Sequence, residues 1–388
     1  MEDVVITSGV RTAIGKFQGS LADVPASDLG AHVIRETVAR AGIDPENVDQ
    51  VIMGIVGQVA EDAYLSRHST VKAGLPPAMT VNRICGSGLE ALNPASRLIQ
   101  SGDADVVVAG GAENMTRMPF YLRKARTGYR LGHDSIEDGI IHLLSDPFKG
   151  YHMGITAENL AEQFEVSRVA QDEFAAESQR RAIAAIDAGR FVDQIAPLTI
   201  KVGKEEKTFD VDEYPRATTA DALAKLRPAF KEGGVVTAGN ASGINDGAAA
   251  LTLMSASKAK ELGATPRMRI VARAEAGVEP AIMGSGPIPA INKVLAKAQM
   301  TMDQIDVIEL NEAFASVSCA CASELSLDPD KVNPNGGAIA LGHPVGATGA
   351  ILTVKLMHEL ERTGGRYGIV SLCIGGGQGI ATIFERLN

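Results

Sequence analysis

The sequence predicts an α/β protein built from two copies of a β-α-β unit with a polar insertion between them, and three observations predict it. Short β-type runs alternate with helix-period segments in the first and last thirds of the 388-residue chain. Two glycine-rich stretches, Cys85-Gly86-Ser87-Gly88 and Gly346-Ala347-Thr348-Gly349, each open a helix that leads to a buried strand. Between the halves, from about Arg117 to Leu226, the chain is more polar and poor in strand-type runs. Its length also exceeds what one hydrophobic core usually supports.

The elements follow in order. Val4-Val5-Ile6 reads as a strand; Leu29, Val33, Ile34 and Val38 recur at helical spacing; Val51-Ile52-Met53 reads as a second strand. A helix is predicted from Ser87 to about Gln100, then Asp105-Val106-Val107-Val108-Ala109, whose unbroken hydrophobicity suits a strand covered on both faces. In the insertion, Ser167 is a natural N-cap, Phe174, Ile183 and Ile186 mark the apolar positions, and Gly189 is the stop. RTGYRLGHDSIEDG and the charged run Lys204-Glu205-Glu206-Lys207 read as loop and solvated turn. The last third repeats the first: Ile270-Val271, a helix carrying Ile291, Val294 and Leu295, the strand Val307 to Leu310, a helix from Gly349 to about Leu360, and the closing strands YGIVSLC and GIATIFE. The divisions expected are a first half over 1–116, an insertion with its return over 117–247, and a second half over 248–388.

Composition narrows the function classes. With 45% hydrophobic residues, 22% charged and a net charge of −10, a nucleic-acid or anionic-membrane surface is not the main business of the chain. The four cysteines, Cys85, Cys319, Cys321 and Cys373, are too few and too scattered for a disulfide framework, and Cys319-Ala320-Cys321 lacks zinc-ligand spacing. A reduced cytoplasmic setting is expected, with no metal site and no signal peptide in MEDVVITSGVRTAIG. Cys319 and Cys321 read as core or helix-face residues.

Three loops carry chemistry. In TVNRICGSGLEAL a strand-like run ends at Cys85 and a helix begins within two residues, so the helix's unpaired N–H groups are expected to favour the thiolate. In NPNGGAIALGHPVGATG, His343 occupies the equivalent place of the second copy, where a twofold-related helix start would face Cys85 and supply a base. In SLCIGGGQGIATIFE, Cys373 ends an apolar strand beside three glycines whose N–H groups could meet a developing oxyanion. Alone, each has an ordinary reading: an inert buried thiol, a loop histidine, a glycine bulge. Together they point to one site.

The segments VNRICGSG, YHMGITAEN, TAGNASGINDGAAA, NEAFA, GGAIALGHPVGATG and CIGGGQGIA make the chain resemble the thiolase family essentially end to end. The resemblance implies the thiolase fold, duplicated βαβαβ halves in an α/β/α/β/α core with an inserted loop domain. It implies that Cys85 takes the acyl group, His343 deprotonates it, and Cys373 moves the α-proton of the second acyl-CoA. Asn311 would hold a water that, with His343, polarises one thioester oxygen, and the N–H groups of Cys85 and Gly375 would receive the other. Coenzyme A would enter as substrate, with no further cofactor, against His152, Met153, Arg216 and Ser242. His152 and Met153 would narrow the acyl tunnel and favour acetyl and acetoacetyl substrates. A dimer or tetramer of identical chains is implied as well.

Three readings are weighed. An acetyl-CoA acetyltransferase leads; a 3-ketoacyl-CoA thiolase of fatty-acid degradation would use the same residues with a wider tunnel; a catalytically silent CoA- or lipid-binding relative would carry damaged loops. Asn311 and Cys373 disfavour a ketoacyl synthase, which uses a Cys-His-His set. Pro94 departs from regular helix chemistry and predicts a kink or an early break near Glu90 to Asn93, since it removes a hydrogen bond at a cost of about 3 kcal/mol. Thr348 keeps a hydroxyl where serine is common in the family, and Pro334 stiffens its turn.

Overall fold

The computed structural model describes residues 2–387. Ten strands among them form one mixed sheet: β1 (Val4–Arg11), β2 (Gly15–Lys16), β3 (Gln50–Gly54), β4 (Ala78–Val81), β5 (Val106–Asn114), β6 (Asn245–Ser255), β7 (Met268–Gly277), β8 (Val307–Leu310), β9 (Tyr367–Ile374) and β10 (Gln378–Arg386). Their order is β8-β9-β10-β7-β1-β6-β5-β3-β4, with β2 paired to β6. The duplication is visible in this order. Strand β3 is parallel to β5, and β5, β6 and β1 then alternate; β8 is parallel to β9, and β9, β10 and β7 then alternate. The two halves meet where β1 and β7 pair antiparallel over Val5↔Arg269 and Ile6↔Met268.

Helices complete the layers. Ala26–Ala41 covers the outer face of β1, β5 and β6, and Pro287–Ala298 covers that of β7 and β10. Between the halves, Thr348–Thr363 packs against β1, β5 and β6 on one side and β8 and β9 on the other, beside Ser87–Glu90. This is the expected α/β/α/β/α stack.

The two inner helix starts approach closer than side chains allow. A Cβ on Gly349 would lie 2.3 Å from the Leu89 nitrogen, one on Gly88 2.8 Å from the Ala350 nitrogen, and one on Gly111 2.2 Å from the Gly346 oxygen. The helix after Cys85 is interrupted where Pro94 predicts. Ser87–Glu90 and Leu92–Ser101 are separate segments, and the Ala95 N–H reaches the Ala91 oxygen only at 3.5 Å. Ala91 stays helical (φ −56, ψ −31), so the hydrogen-bond ladder opens without turning the chain. The first turn is intact, with Glu90 N–H on Gly86 at 2.8 Å and Ala91 N–H on Ser87 at 3.0 Å.

Several elements depart from expectation. Strand β6, fully buried along its length, lay hidden in NDGAAALTLMS because glycine and alanine carry little strand preference. It pairs with β1 and β5, so the join expected at 247/248 falls inside it. Of the run expected as a turn only Lys204 lies in one; Glu205-Glu206-Lys207 open the second strand of a hairpin, Leu198–Val202 with Glu205–Phe209. The helix Arg168–Asp187 is capped by Ser167 as expected, yet it buries Ala175, Ala182 and Ala185 with Gln171, Asp172, Ser178 and Gln179. Phe174, Ile183 and Ile186 are only half-buried along the edge of that face, because a close helix contact favours small side chains. The insertion is fastened to β1 by a fully buried bidentate pair, Arg11 Nη1 and Nη2 to the Asp212 carboxylate at 2.7 and 2.8 Å.

Substituting Gly349→Ala should lower the unfolding free energy read from urea denaturation by about 1–3 kcal/mol, as overpacking of a rigid contact does. Unchanged stability would mean that the inner helices have room to separate.

Candidate active site

Cys85 sits on a turn rather than at the end of a strand. Strand β4 stops at Val81, and the next residues are held by their own polar side chains: Asn82 Oδ1 accepts the Ile84 N–H at 2.9 Å, and Ser87 Oγ accepts the Arg83 N–H at 2.8 Å while donating to the Ile84 oxygen at 2.6 Å. Ile84 is thereby kept at φ +45, a costly conformation for a β-branched residue. That strain aims the following thiol into a cavity of about 340 Å³. Cys85, His343, Gly375, His152, Met153 and Ser242 all line this cavity, although they come from distant parts of the chain.

Cys373 and Asn311 lie one layer behind the wall, both fully buried. Cys373 is the penultimate residue of β9, two residues before Gly375, and close enough to Cys85 for the Cys85 sulfur to oppose its ionisation. The Gly375 N–H donates towards the Cys85 sulfur, and Gly376 and Gly377, each at φ +84, turn the chain there. Asn311 follows β8 and donates from Nδ2 to His343 Nε2 at 3.3 Å. Its Oδ1 is buried with no partner among the described residues, an acceptor suited to a small donor such as water.

The hydrogen bonds of His343 select its tautomer. The Thr348 hydroxyl donates to the Pro344 oxygen at 2.9 Å, so it can only accept from His343 Nδ1, 2.7 Å away. Nδ1 therefore carries the proton and Nε2 presents the lone pair, with Asn311 donating to it. Burial lowers His343 to about 4, which leaves the imidazole neutral in the physiological range. A neutral, oriented imidazole on the same cavity as a thiol is a base.

The thiol itself differs from expectation. Burial pushes Cys85 up to about 11, the Gly375 N–H working against that rise and the carboxylate of Glu113 adding to it. The helix start does not prevail because Ser87–Glu90 is a single turn, while the cavity wall is apolar on most sides. Cys373 is likewise raised by burial. Both sulfurs rest as thiols. Cys321 is buried in the core and Cys319 half-buried beside the Ala170 oxygen, as expected of core or helix-face residues.

The residues expected to meet coenzyme A divide. His152 caps the Met153–Gln163 helix, its Nδ1 accepting the Gly154 N–H at 3.0 Å, and its ring stacks on Phe230 at 4.7 Å, so it forms cavity wall. Met153 presses on Gly375, where any Cβ would lie 2.8 Å from its Cε. Ser242 lines the cavity too, its N–H bonded to the Ala313 oxygen at 3.0 Å. Arg216 does not line it; the side chain is exposed, 5.4 Å over the ring of Tyr214, which does. Phe230, Phe314, Leu143, Leu144 and Met283 are further wall residues that sequence reading did not single out, because isolated apolar residues in loops and short helical turns have no periodicity to mark them. Among the described residues, no group of three or more His, Cys, Asp or Glu is placed to hold a metal.

Residues 4–257 match the thiolase N-terminal domain and residues 264–386 the thiolase C-terminal domain. The chain belongs to the thiolase family. It is 53% identical to an acetyl-CoA acetyltransferase of Pseudomonas aeruginosa, with both chains covered in full. It is 52% identical to beta-ketothiolase BktB of Cupriavidus necator, over 99% of each. Among solved structures, the acetyl-CoA acetyltransferase of Bacillus anthracis superposes with a TM-score of 0.98 at 48% identity, over 100% of this thiolase and 99% of that chain.

Alkylation of Cys85 by iodoacetamide should still accelerate above the ordinary cysteine midpoint of about 8.5, toward a midpoint of about 11. A rate that levels off at or below the ordinary midpoint contradicts the dominance of burial.

Proposed function

We propose that this thiolase is an acetyl-CoA C-acetyltransferase that condenses two acetyl-CoA to acetoacetyl-CoA and free CoA, or runs the thiolysis, through an acetyl-Cys85 intermediate. The observation that carries the reading is the neutral His343, unprotonated at Nε2, on the same cavity as the Cys85 thiol. The relatives named acetyl-CoA acetyltransferase support the substrate class.

The steps close in protons. The Cys85 proton passes to His343 Nε2, the thiolate attacks the thioester carbonyl, and the C–S bond to CoA breaks. The leaving CoA thiolate takes the proton of Cys373, which rests as a thiol and so is ready as an acid. The Cys373 thiolate then removes the α-proton of the second acetyl-CoA, and the enolate carbon attacks the acetyl carbon. The Cys85 thiolate leaves and recovers its proton from His343. Negative charge builds on one oxygen at the Cys85 and Gly375 N–H groups, and on another at His343 Nε2 with the donor held by Asn311. Two separate sites suit two separate charges, and ping-pong kinetics follow from the covalent intermediate.

His152, Met153 and Ser242 are assigned to the pantetheine and acyl end, and Arg216 to the nucleotide end, where an exposed guanidinium beside the mouth suits phosphate. CoA serves as substrate and product. A wider-range 3-ketoacyl-CoA thiolase is the second reading, favoured by the relative named beta-ketothiolase. The silent binding relative is disfavoured, since its loops would be damaged and these are intact. The first half is proposed to close with β6 at Ser255, the insertion lying between β5 and β6. A cytoplasmic homo-oligomer, dimer or tetramer, is proposed: the four free thiols support the compartment, and exposed Phe120, Leu131, Ile136 and Phe148 on the insertion support self-association.

Purified protein should cleave acetoacetyl-CoA with CoA faster than a longer 3-ketoacyl-CoA, and Cys85→Ser should lose on the order of 10³-fold or more of that rate. No cleavage of either substrate sinks the enzymatic reading; preference for the longer one moves it to the second. Cys373→Ala should still take up one labelled acetyl group from acetyl-CoA while condensation is lost. Equal loss of both half-reactions contradicts the division between the sulfurs.

A further inference from the structure

Glu113 is a buried carboxylate that no step above uses. It is the penultimate residue of β5 and 1% exposed, beside Met115 of the cavity wall. Three backbone N–H groups converge on it from two loops: Val56 and Gly346 donate to Oε2 and Gly57 to Oε1, each at 2.9 Å. Val56 and Gly57 follow β3 of the first half, whereas Gly346 stands three residues after His343 in the second. Both glycines are required by the approach, because a Cβ on Gly346 would lie 2.5 Å from Oε2 and one on Gly57 2.9 Å from Oε1. The Glu113 charge also acts on the Cys85 sulfur.

On the reading of Cys85 and His343 given above, we propose that Glu113 is a positioning residue for the reaction. Its carboxylate clamps the His343 loop of one half to the β3 loop of the other, fixing the base relative to the Cys85 turn. A carboxylate is suited to this work because it has acceptor sites for three N–H donors and no donor of its own. A carboxamide of the same size leaves one N–H facing another donor. Burial raises the Glu113 carboxyl to about 7, the three N–H groups opposing the rise and Asp62 adding to it, so the carboxylate is about half formed at pH 7 and increasingly so above it.

The test compares Glu113→Gln and Glu113→Asp with the wild-type enzyme in acetoacetyl-CoA thiolysis and in the pH dependence of Cys85 alkylation. Glu113→Gln should lower kcat on the order of 10²-fold through misplacement of the base while KM changes by less than about threefold. Loss of the charge should also move its alkylation midpoint to lower pH. Glu113→Asp keeps the charge but cannot reach both loops, so its midpoint should stay at the wild-type value while kcat falls. Wild-type kcat and midpoint in a folded Glu113→Gln overturn the proposal. If that variant does not fold, Glu113→Asp decides: reduced kcat supports the clamp and wild-type kcat overturns it. A wild-type protein inactive on acetoacetyl-CoA would instead defeat the functional reading, and the alkylation midpoints would still decide the effect of the charge.

Discussion

The close approach of the two inner helix starts governs the rest of the molecule. Gly88 and Gly349 lack side chains where the backbone of the other half passes, so Ser87–Glu90 and Thr348–Thr363 meet without a layer of side chains between them. The loops that feed these helices carry Cys85 and His343, and the contact that joins the halves thus also brings thiol and imidazole to one cavity. Because close-packed interiors transmit displacement rather than absorb it, the contact sets position as well as stability.

Burial then decides the chemistry of what has been assembled. In a wall of Ile84, Met115, Leu143, Met153, Phe230 and Phe314, neither thiol is ionised at rest and the imidazole is neutral. Fixed polar groups take the place of solvent: the Gly375 N–H donates at the sulfur, the Thr348 hydroxyl accepts from His343 Nδ1, and Asn311 donates to Nε2. A site of this kind holds its protons until substrate arrives and spends little on reorganisation when charge moves. The strain at Ile84 belongs to the same design, since the turn that aims the thiol is held by Asn82 and Ser87 rather than by its own preference.

The fold was legible wherever apolar runs were long and their ends were marked. The strand at Val106, the strand at Tyr367, the Ser167 cap and the break before Pro94 all follow local rules. Strand β6 was not legible, because its place in the sheet depends on neighbours over a hundred residues away and its glycines and alanines are chosen for close packing. The same holds for the helix Arg168–Asp187, whose buried face is set by what it packs against.

By itself the sequence determined the α/β class, the duplication, and which glycine-rich loops bear reactive side chains. These are properties of local spacing, of glycine's conformational range and of residue type. The tertiary structure alone decided that burial raises the Cys85 thiol, that His343 carries its proton on Nδ1 and not on Nε2, that Arg216 stands outside the cavity, and that Glu113 joins the His343 loop to the loop after β3. Those outcomes depend on burial and on donors and acceptors contributed from distant segments, and no local pattern in a chain records which of them will meet.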